Sequence, residues 1–440
     1  MEAGGIKKGS QSLLVAFLLV MTIGFSSGCE SSGTVGSDLI GNDNFMESEI
    51  LPVDGIRVIH ENTFSGRLIY TSMGYLEDPL YGTIESTALI KPAIFRDQVE
   101  VISAADTLYL RLIFEPDIYG DGNSVSSFEI YEVAETWRGN QLRYNTPPLQ
   151  IDRSVKLGEF TLADEDTVLI EMDAEWSMRF AEFYNSEEEQ EIRDTEYRDN
   201  FPGIAIVPSE QNRKIRFLKT GRAQVDEQTI LTSFLINRPI DEEENGEGED
   251  DENGEDDGNG ENDEEEEEVD DGIRLIGLRD WGSVVSRTNV PETTDAIVLH
   301  NTETILEMDL QLPVERLSSK NISNAQLFFT KKRDAETNFP LLTRPDSDLL
   351  RIHLFSDFPS DIMAEIFTRD PAFFRINEEG EDVFSIDITQ FVLDEVFGDS
   401  PGRKLYLSSQ IVNGIIYSNQ FYDSTAGENL KPRIVLTFLN

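Results

Sequence analysis

Few side chains in this sequence are equipped for chemistry, and none falls into a catalytic spacing. Histidine occurs only at His60, His300 and His353, and cysteine only at Cys29. There is no Gly-x-Ser-x-Gly elbow, His-Glu-x-x-His pair, phosphate loop or paired-cysteine motif. His60 and His353 sit in alternating apolar segments, where a histidine packs or faces solvent. Asp and Glu are so numerous that pairs suited to glycoside cleavage arise by chance, and none has a distinctive setting. The expectation is a protein that is not an enzyme.

Three kinds of residue remain as candidates for a site. Trp137, Trp176 and Trp281 have rings that stack on sugars. Trp137 stands beside Arg138, Gly139 and Asn140, a setting that suits exposure, so it is the candidate for ligand stacking. Trp176 shares a helical face with Phe180, Phe183 and Tyr184 and reads as core. Within Asp117-Ile118-Tyr119-Gly120-Asp121-Gly122-Asn123, the oxygens of Asp117, Asp121 and Asn123 are of the type that calcium takes. The spacing is not that of an EF-hand, and a plain Asp/Gly/Asn turn is the competing account. No other cofactor is implied.

Cys29 carries the most specific signal. Lys7 and Lys8 precede the apolar run Leu13 to Phe25, and Ser26-Ser27-Gly28 lead directly into Cys29. The run is too short to span about 30 Å of hydrocarbon, so it reads as an export leader, residues 1–28. A lone cysteine at its end is where a bacterial lipobox places the lipid-bearing residue. Two or more acyl chains would make anchoring effectively permanent. An ordinary leader with an incidental cysteine is the alternative. Without a second cysteine there is no disulfide, so stability outside the cytoplasm rests on packing.

The elements that hold these residues are strands. After a Ser/Gly/Asn-rich tether, residues 29–50, short runs of alternating apolar residues follow one another, separated by Gly, Pro, Asp and Asn. Leu108, Leu110, Leu112 and Phe114 recur every second position. One helix is expected in this half, Ala174 to Tyr184; Ser186 to Asn200 is acidic and polar and reads as a loop. Residues 241–271 hold 21 Asp or Glu and no Lys or Arg; a chain of that composition stays solvated and extended. It serves as a spacer or a loop insertion between a first β-sandwich unit, residues 51–240, and a second, residues 272–440. The second block repeats the first: Glu303-Leu312 alternates like Asp106-Phe114, Ile322-Thr330 follows as Ser126-Val133 does, and Val383-Thr389 enters a helix, Gln390 to Phe397, as Thr167-Met172 enters Ala174-Tyr184. The fold class expected is mostly β, two jelly-roll-like sandwiches with one short helix each.

Several of these segments resemble lipoproteins of Gram-negative bacteria that carry the domain of unknown function numbered 4270. They are Gly36-Ser37-Asp38-Leu39-Ile40, Tyr75 to Thr83, Leu310-Gln311-Leu312-Pro313, Ile322 to Leu327 and Phe384 to Thr389. A second likeness, to surface domains of the DNRLRE type, rests on Leu108 to Arg111, Ser127 to Tyr131, Thr136-Trp137, Pro147-Pro148 and Lys431 to Leu436. The naming hexapeptide of that type is absent. These resemblances imply a fold and an envelope location, and some of the second group bind carbohydrate. Neither carries a catalytic residue onto this chain.

Charge excludes one class of partner. With 85 acidic and 36 basic residues the net charge is −49, and nucleic-acid binding needs clustered cations. The partners expected are a membrane through the lipid, and a glycan or an envelope protein. The sequence thus describes an outer-membrane or cell-surface lipoprotein with a structural or binding role, the alternative being a carbohydrate-binding or adhesive module, with or without calcium. Replacing Cys29 with serine is expected to move the protein from the membrane fraction to the soluble fraction of lysed cells. Unchanged membrane association would refute lipidation at Cys29.

Overall fold

The computed structural model describes residues 46–95, 101–145, 150–221, 230–238, 273–333, 336–345, 349–354, 372–376, 382–398, 402–409 and 413–439. The leader, Cys29, most of the expected tether and the acidic run lie outside the described residues. The tether was expected to reach residue 50, but Met46 already opens a strand.

The first half of the chain forms β1 (Met46–Pro52), β2 (Gly55–His60), β3 (Tyr70–Asp78), β4 (Gly82–Pro92), β5 (Thr107–Gly120) and β6 (Ser126–Val133). It continues with β7 (Ile151–Leu162), β8 (Thr167–Glu171), β9 (Ile204–Pro208), β10 (Lys214–Lys219) and β11 (Ser233–Asn237). The second half forms β12 (Ile273–Ile276), β13 (Leu278–Thr288), β14 (Ala296–His300), β15 (Thr304–Asp309), β16 (Ile322–Thr330) and β17 (Leu349–Leu354). It ends with β18 (Ala372–Ile376), β19 (Val383–Asp387), β20 (Leu405–Ser409), β21 (Ser418–Tyr422) and β22 (Arg433–Leu439). The helices are α1 (Ala174–Tyr184), α2 (Gln190–Asn200), the single turn α3 (Val314–Leu317) and α4 (Thr389–Phe397). All strand pairs are antiparallel, and the protein is mostly β, as expected.

The pairings largely match between the halves, the exceptions among the described residues being β18–β19, which has no β7–β8 counterpart, and β3–β4, which has no β14–β15 counterpart. In the first unit β11 lies between β12 and β5, β5 also pairs with β8 and β10, and β10 with β3. There β4 pairs with β3, β9 and β13, β9 with β6, and β6 with β7. In the second unit β22 lies between β1 and β16, β16 pairs with β19, and β21 pairs with β14. There β15 pairs with β20 and β2, β20 with β17, and β17 with β18. Even the β5–β10 contact has its counterpart, a bridge between Lys331, just past β16, and Phe421 of β21. Each strand from β3 to β11 therefore corresponds to the strand eleven places later.

One consequence is visible only in the pairing. The β1 and β2 strands complete the second unit, whereas β12 and β13 complete the first. The two repeats of the sequence thus exchange their opening strands within one chain. The expected boundaries at 51–240 and 272–440 separate the repeats but not the spatial units. The expected matching was also displaced: β16 answers β5, not β6, and β15 answers β4. Alternation marks a strand and its buried face but not its neighbour, so the order of patterns alone could not fix the correspondence.

Of the two places expected for the acidic run, a spacer or a loop insertion, the pairing of its flanks fits the second. Its flanks are partners in one ladder, with Asn237 opposite Ile273. It therefore joins neighbouring strands of the first unit. The chain passes between units through residues 61–69 and 289–295 instead.

Each unit has its own core. In the first, Leu108, Leu110, Leu112 and Phe114 of β5 are buried, as their period predicts, against Ile90, Phe128, Ile130, Ile206 and Phe234. Each such side chain contributes roughly 1.5–3 kcal/mol. The α1 helix starts where the Asp173 carboxylate accepts from the Trp176 N–H at 2.9 Å, and it buries Trp176, Phe180 and Tyr184 in this core. Residues 190–200, expected as loop, form α2. Its one deeply buried anchor is Tyr197, stacked on Phe201 at 4.9 Å and donating to the Pro92 carbonyl at 2.6 Å. A single apolar anchor on a polar helix leaves no periodic stripe to read. The second core gathers Leu306, Met308, Leu327, Phe329, Phe384, Leu407, Phe421 and Leu436, with α4 laid against β16.

A third cluster joins the units: Leu76, Tyr81, Tyr119, Ile215 and Phe217 meet Ile415 and Ile416. At its centre Asp78 of β3 is fully buried. Its carboxylate accepts from Arg344 Nε at 2.8 Å and Nη2 at 3.0 Å, from the Tyr119 hydroxyl at 3.1 Å and from the Leu80 N–H at 2.8 Å. The Tyr119 hydroxyl also lies 3.3 Å from Ser418 Oγ of β21. Arg344→Ala would strand that carboxylate, and a loss of about 3–5 kcal/mol is expected. Because each unit borrows strands from the other repeat, urea unfolding should show a single transition followed by both near-ultraviolet circular dichroism and tryptophan fluorescence. Two resolved transitions would contradict the exchange.

Candidate functional site

The residues singled out in the sequence do not gather into a site. Trp137 is 6% exposed. Its Nε1 donates to the Pro202 carbonyl at 2.8 Å, while the Lys91 ammonium lies 5.3 Å from the ring centroid and donates to the Trp137 carbonyl at 2.8 Å. Burial pushes the Lys91 pKa down to about 8. An indole enclosed this way is core, so Trp137 is not open for stacking on a ligand. Trp176 is buried, as expected.

The Asp117–Asn123 segment is the end of β5 and a turn. Asp117 is exposed on the strand, and Asp121 Oδ1 accepts from its neighbour's backbone, the Asn123 N–H, at 3.0 Å. From behind, Lys214 Nζ donates to the carbonyls of Gly122, at 3.2 Å, and Ala163, at 2.7 Å. Lys214 thus meets backbone carbonyls rather than the candidate side-chain oxygens, and no group of three His, Cys, Asp or Glu ligands forms here or elsewhere among the described residues. The hydrogen bonds of Asp121 are those of an Asp/Gly/Asn turn. Cys29 lies outside the described residues.

The histidines are spread out. His60 is exposed at the end of β2, while His300 and His353 are buried in the second unit. Burial, reinforced by Arg287, holds the His300 pKa well below the ordinary range. Burial with a contribution from Arg351 lowers His353 to about 4, although its Nε2 has Ser408 Oγ 3.2 Å away.

A cleft of about 760 Å³ opens instead where the exchanged strands turn from one edge of the first unit to the other. Residues 230–233 with β11 form one wall and Leu275, Gly277 and Leu278 the rim; Trp281 of β13, Arg67 and Arg111 of β5 complete it. Trp281 is half-buried and fixed, its Nε1 donating to the Leu68 carbonyl at 2.6 Å and its carbonyl accepting from the Arg67 N–H at 2.8 Å. The Arg67 backbone has φ 58°, which turns the chain beside β13. Its guanidinium is held by Asp280, whose Oδ1 accepts from Arg67 Nε at 3.0 Å and from the Gly139 N–H at 2.9 Å. Gly66 is required here because a Cβ would collide with the Gly139 backbone.

Arg111 projects from the face of β5 opposite Leu110 and Leu112. Its Nη2 donates to Ser233 Oγ at 3.0 Å, and burial alone lowers its pKa. Ile230 and Leu275 stand 61% and 45% exposed at the opening. Apolar side chains thus stand exposed beside cations and hydroxyls, a mixture that lining residues of small-molecule clefts share. The lining has no His, Asp, Glu, Lys, Cys or Tyr, so its described residues include no group that exchanges a proton near neutral pH. Trp281 was legible as a candidate ring; Arg111 was signalled only by its odd place in an even-numbered apolar run.

Fold and cleft define a class, a tandem of strand-exchanged β-sandwiches with an open amphipathic cleft. The chain matches no family model and no curated protein. Among solved structures it is similar, at 9% identity and a TM-score of 0.20, to a protein of Parabacteroides distasonis described as secreted, covering 90% of this chain and 100% of that one. It is also similar to the tandem CBM51 modules of a family 98 glycoside hydrolase from Streptococcus pneumoniae, at 8% identity and a TM-score of 0.11, with 90% and 100% covered. A serine-rich repeat protein of Streptococcus agalactiae gives 7% identity and a TM-score of 0.14, with 86% and 85% covered. Scores this low leave function to be derived from the chain itself.

The His353 pKa makes a prediction about acid. With a folded value of about 4 against an ordinary 6.5, the unfolded chain takes up the proton first. The stabilisation is complete above pH 6.5 and is lost as pH falls towards 4, on the order of 3 kcal/mol in all. Urea midpoints across that window should fall less steeply for His353→Gln than for the native chain. Identical slopes would refute the buried neutral imidazole.

Proposed function

We propose that this chain is an exported, lipid-anchored, non-catalytic binding protein of the cell envelope, and that its ligand occupies the cleft between Arg111 and Trp281. The observation that carries this reading is the composition of that cleft. Two arginines, an indole ring, hydroxyls and exposed aliphatic side chains line it, Arg111 and Trp281 on strands, with no general acid or base among the described residues. Such a lining suits the orientation and retention of a ligand, and its described residues include no group that moves a proton near neutral pH.

The sequence supports the location. The basic residues, apolar run and small residues ahead of Cys29 fit export and lipidation, and the first strand begins at Met46, a short tether later. Among the described residues no helix is long and apolar enough to cross a membrane. The likeness of several segments to uncharacterised envelope lipoproteins points the same way. Of the roles expected from sequence, carbohydrate binding is the one the cleft favours, since aromatic rings and hydrogen-bonding groups on rigid strands are what a sugar ring needs.

The test is a glycan panel probed with the full chain in detergent, with and without a chelator. Saccharide binding indifferent to chelator is expected, with no product released on prolonged incubation. Trp281→Ala should lower the affinity about tenfold, equivalent to roughly 1.4 kcal/mol, while leaving the melting temperature near native. Turnover of any bound glycan, or binding untouched by Trp281→Ala, would contradict this function.

A further inference from the structure

The cleft holds positive charge in a chain that has little of it. Lys and Arg number 36 against 85 Asp and Glu. Arg67, Arg287 and Arg344 each meet a carboxylate, of Asp280, Glu303 and Asp78, and the buried Arg216, without a carboxylate, donates to the Ala163 and Glu165 carbonyls. Arg111 has neither kind of acceptor. Among the described residues its one partner is the neutral Ser233 hydroxyl, and its Nε is enclosed with no acceptor. A guanidinium at the wall of a cleft, with one nitrogen shut from water and no counter-charge, is under-satisfied, and an oxyanion is the group that completes it.

The surroundings narrow the anion. Beside Arg111 the cleft presents the fixed Trp281 ring and the exposed Ile230 and Leu275, which suit a flat, partly apolar ligand body. A densely charged polymer would be repelled by a surface of net charge −49. A single carboxylate on an otherwise neutral ring meets the arginine without that repulsion. Building on the cleft as the binding site, we propose that its ligand is a carboxylated saccharide, a glycan bearing a uronic acid, whose carboxylate pairs with Arg111 while a sugar ring lies on Trp281.

Carboxyl reduction provides the matched probe, since it removes the charge and keeps the rings. Calorimetry on the full chain in detergent would compare an aldobiouronic acid, a disaccharide of one uronic acid and one neutral sugar, with its carboxyl-reduced, neutral counterpart. The acidic sugar is expected to bind at least about tenfold more tightly. That gap should persist between about 50 and about 300 mM NaCl, because a desolvated pair is screened far less than surface charge. Arg111→Gln should erase the gap and leave the neutral sugar's affinity in place; Arg111→Lys, which keeps the charge and loses the fork, should retain part of it. Equal affinity for the two sugars would overturn acid selectivity while leaving the cleft as a saccharide site. Binding of neither sugar would overturn both readings. A gap that survives Arg111→Gln in a protein of native melting temperature would remove Arg111 from the role.

Discussion

The structure depends on a constraint of strand pairing: neither unit can close its sheets with the strands of its own repeat. The edge of β22 is taken by β1 and that of β15 by β2, while β11 and β4 are covered by β12 and β13. Unpaired edges expose rows of backbone donors and acceptors, so each repeat protects the other. Because the exchange is within one chain, the effective concentration of each donated strand is high and fixed. The Asp78–Arg344 pair and the apolar cluster around Tyr119 then fill the seam that the crossing segments leave.

The cleft is a by-product of the same crossing. Between β12 and β13 the chain leaves the edge beside β11 and joins the edge beside β4, with Gly277 at the change of course. That step sets Trp281 opposite Arg111, residues from different repeats, and holds both on strands rather than on loops. A site made by two repeats at their point of exchange needs no copy in the second unit, although the topology is duplicated.

How much of this was legible depends on the range of the interaction. Period-two runs such as Leu108 to Phe114 and the helical stripe of Trp176, Phe180 and Tyr184 are local, and both were readable. The Gln390 to Phe397 helix was read nearly to its ends, the structure starting it at Thr389. Tyr197 holds α2 alone, so the helix left no pattern. Trp137 read as exposed because its neighbours are polar, yet Pro202, 65 residues away, takes its N–H. Arg111 and Trp281 are 170 positions apart by number, and only the exchange brings them together. No spacing rule anticipates a partner supplied by the other repeat.

The ladder that sets Asn237 opposite Ile273 has an evolutionary consequence for the acidic run. A hairpin whose stem is held by its neighbours accepts insertions at its tip, because each doubling of a flexible loop adds only about 0.6 kcal/mol of closure entropy. Length and charge at that tip are therefore free to drift, or to be tuned to salinity, without disturbing either β-body. Lineages carrying this architecture should differ most in size at that one point, and a reporter peptide spliced there would travel with an otherwise native molecule.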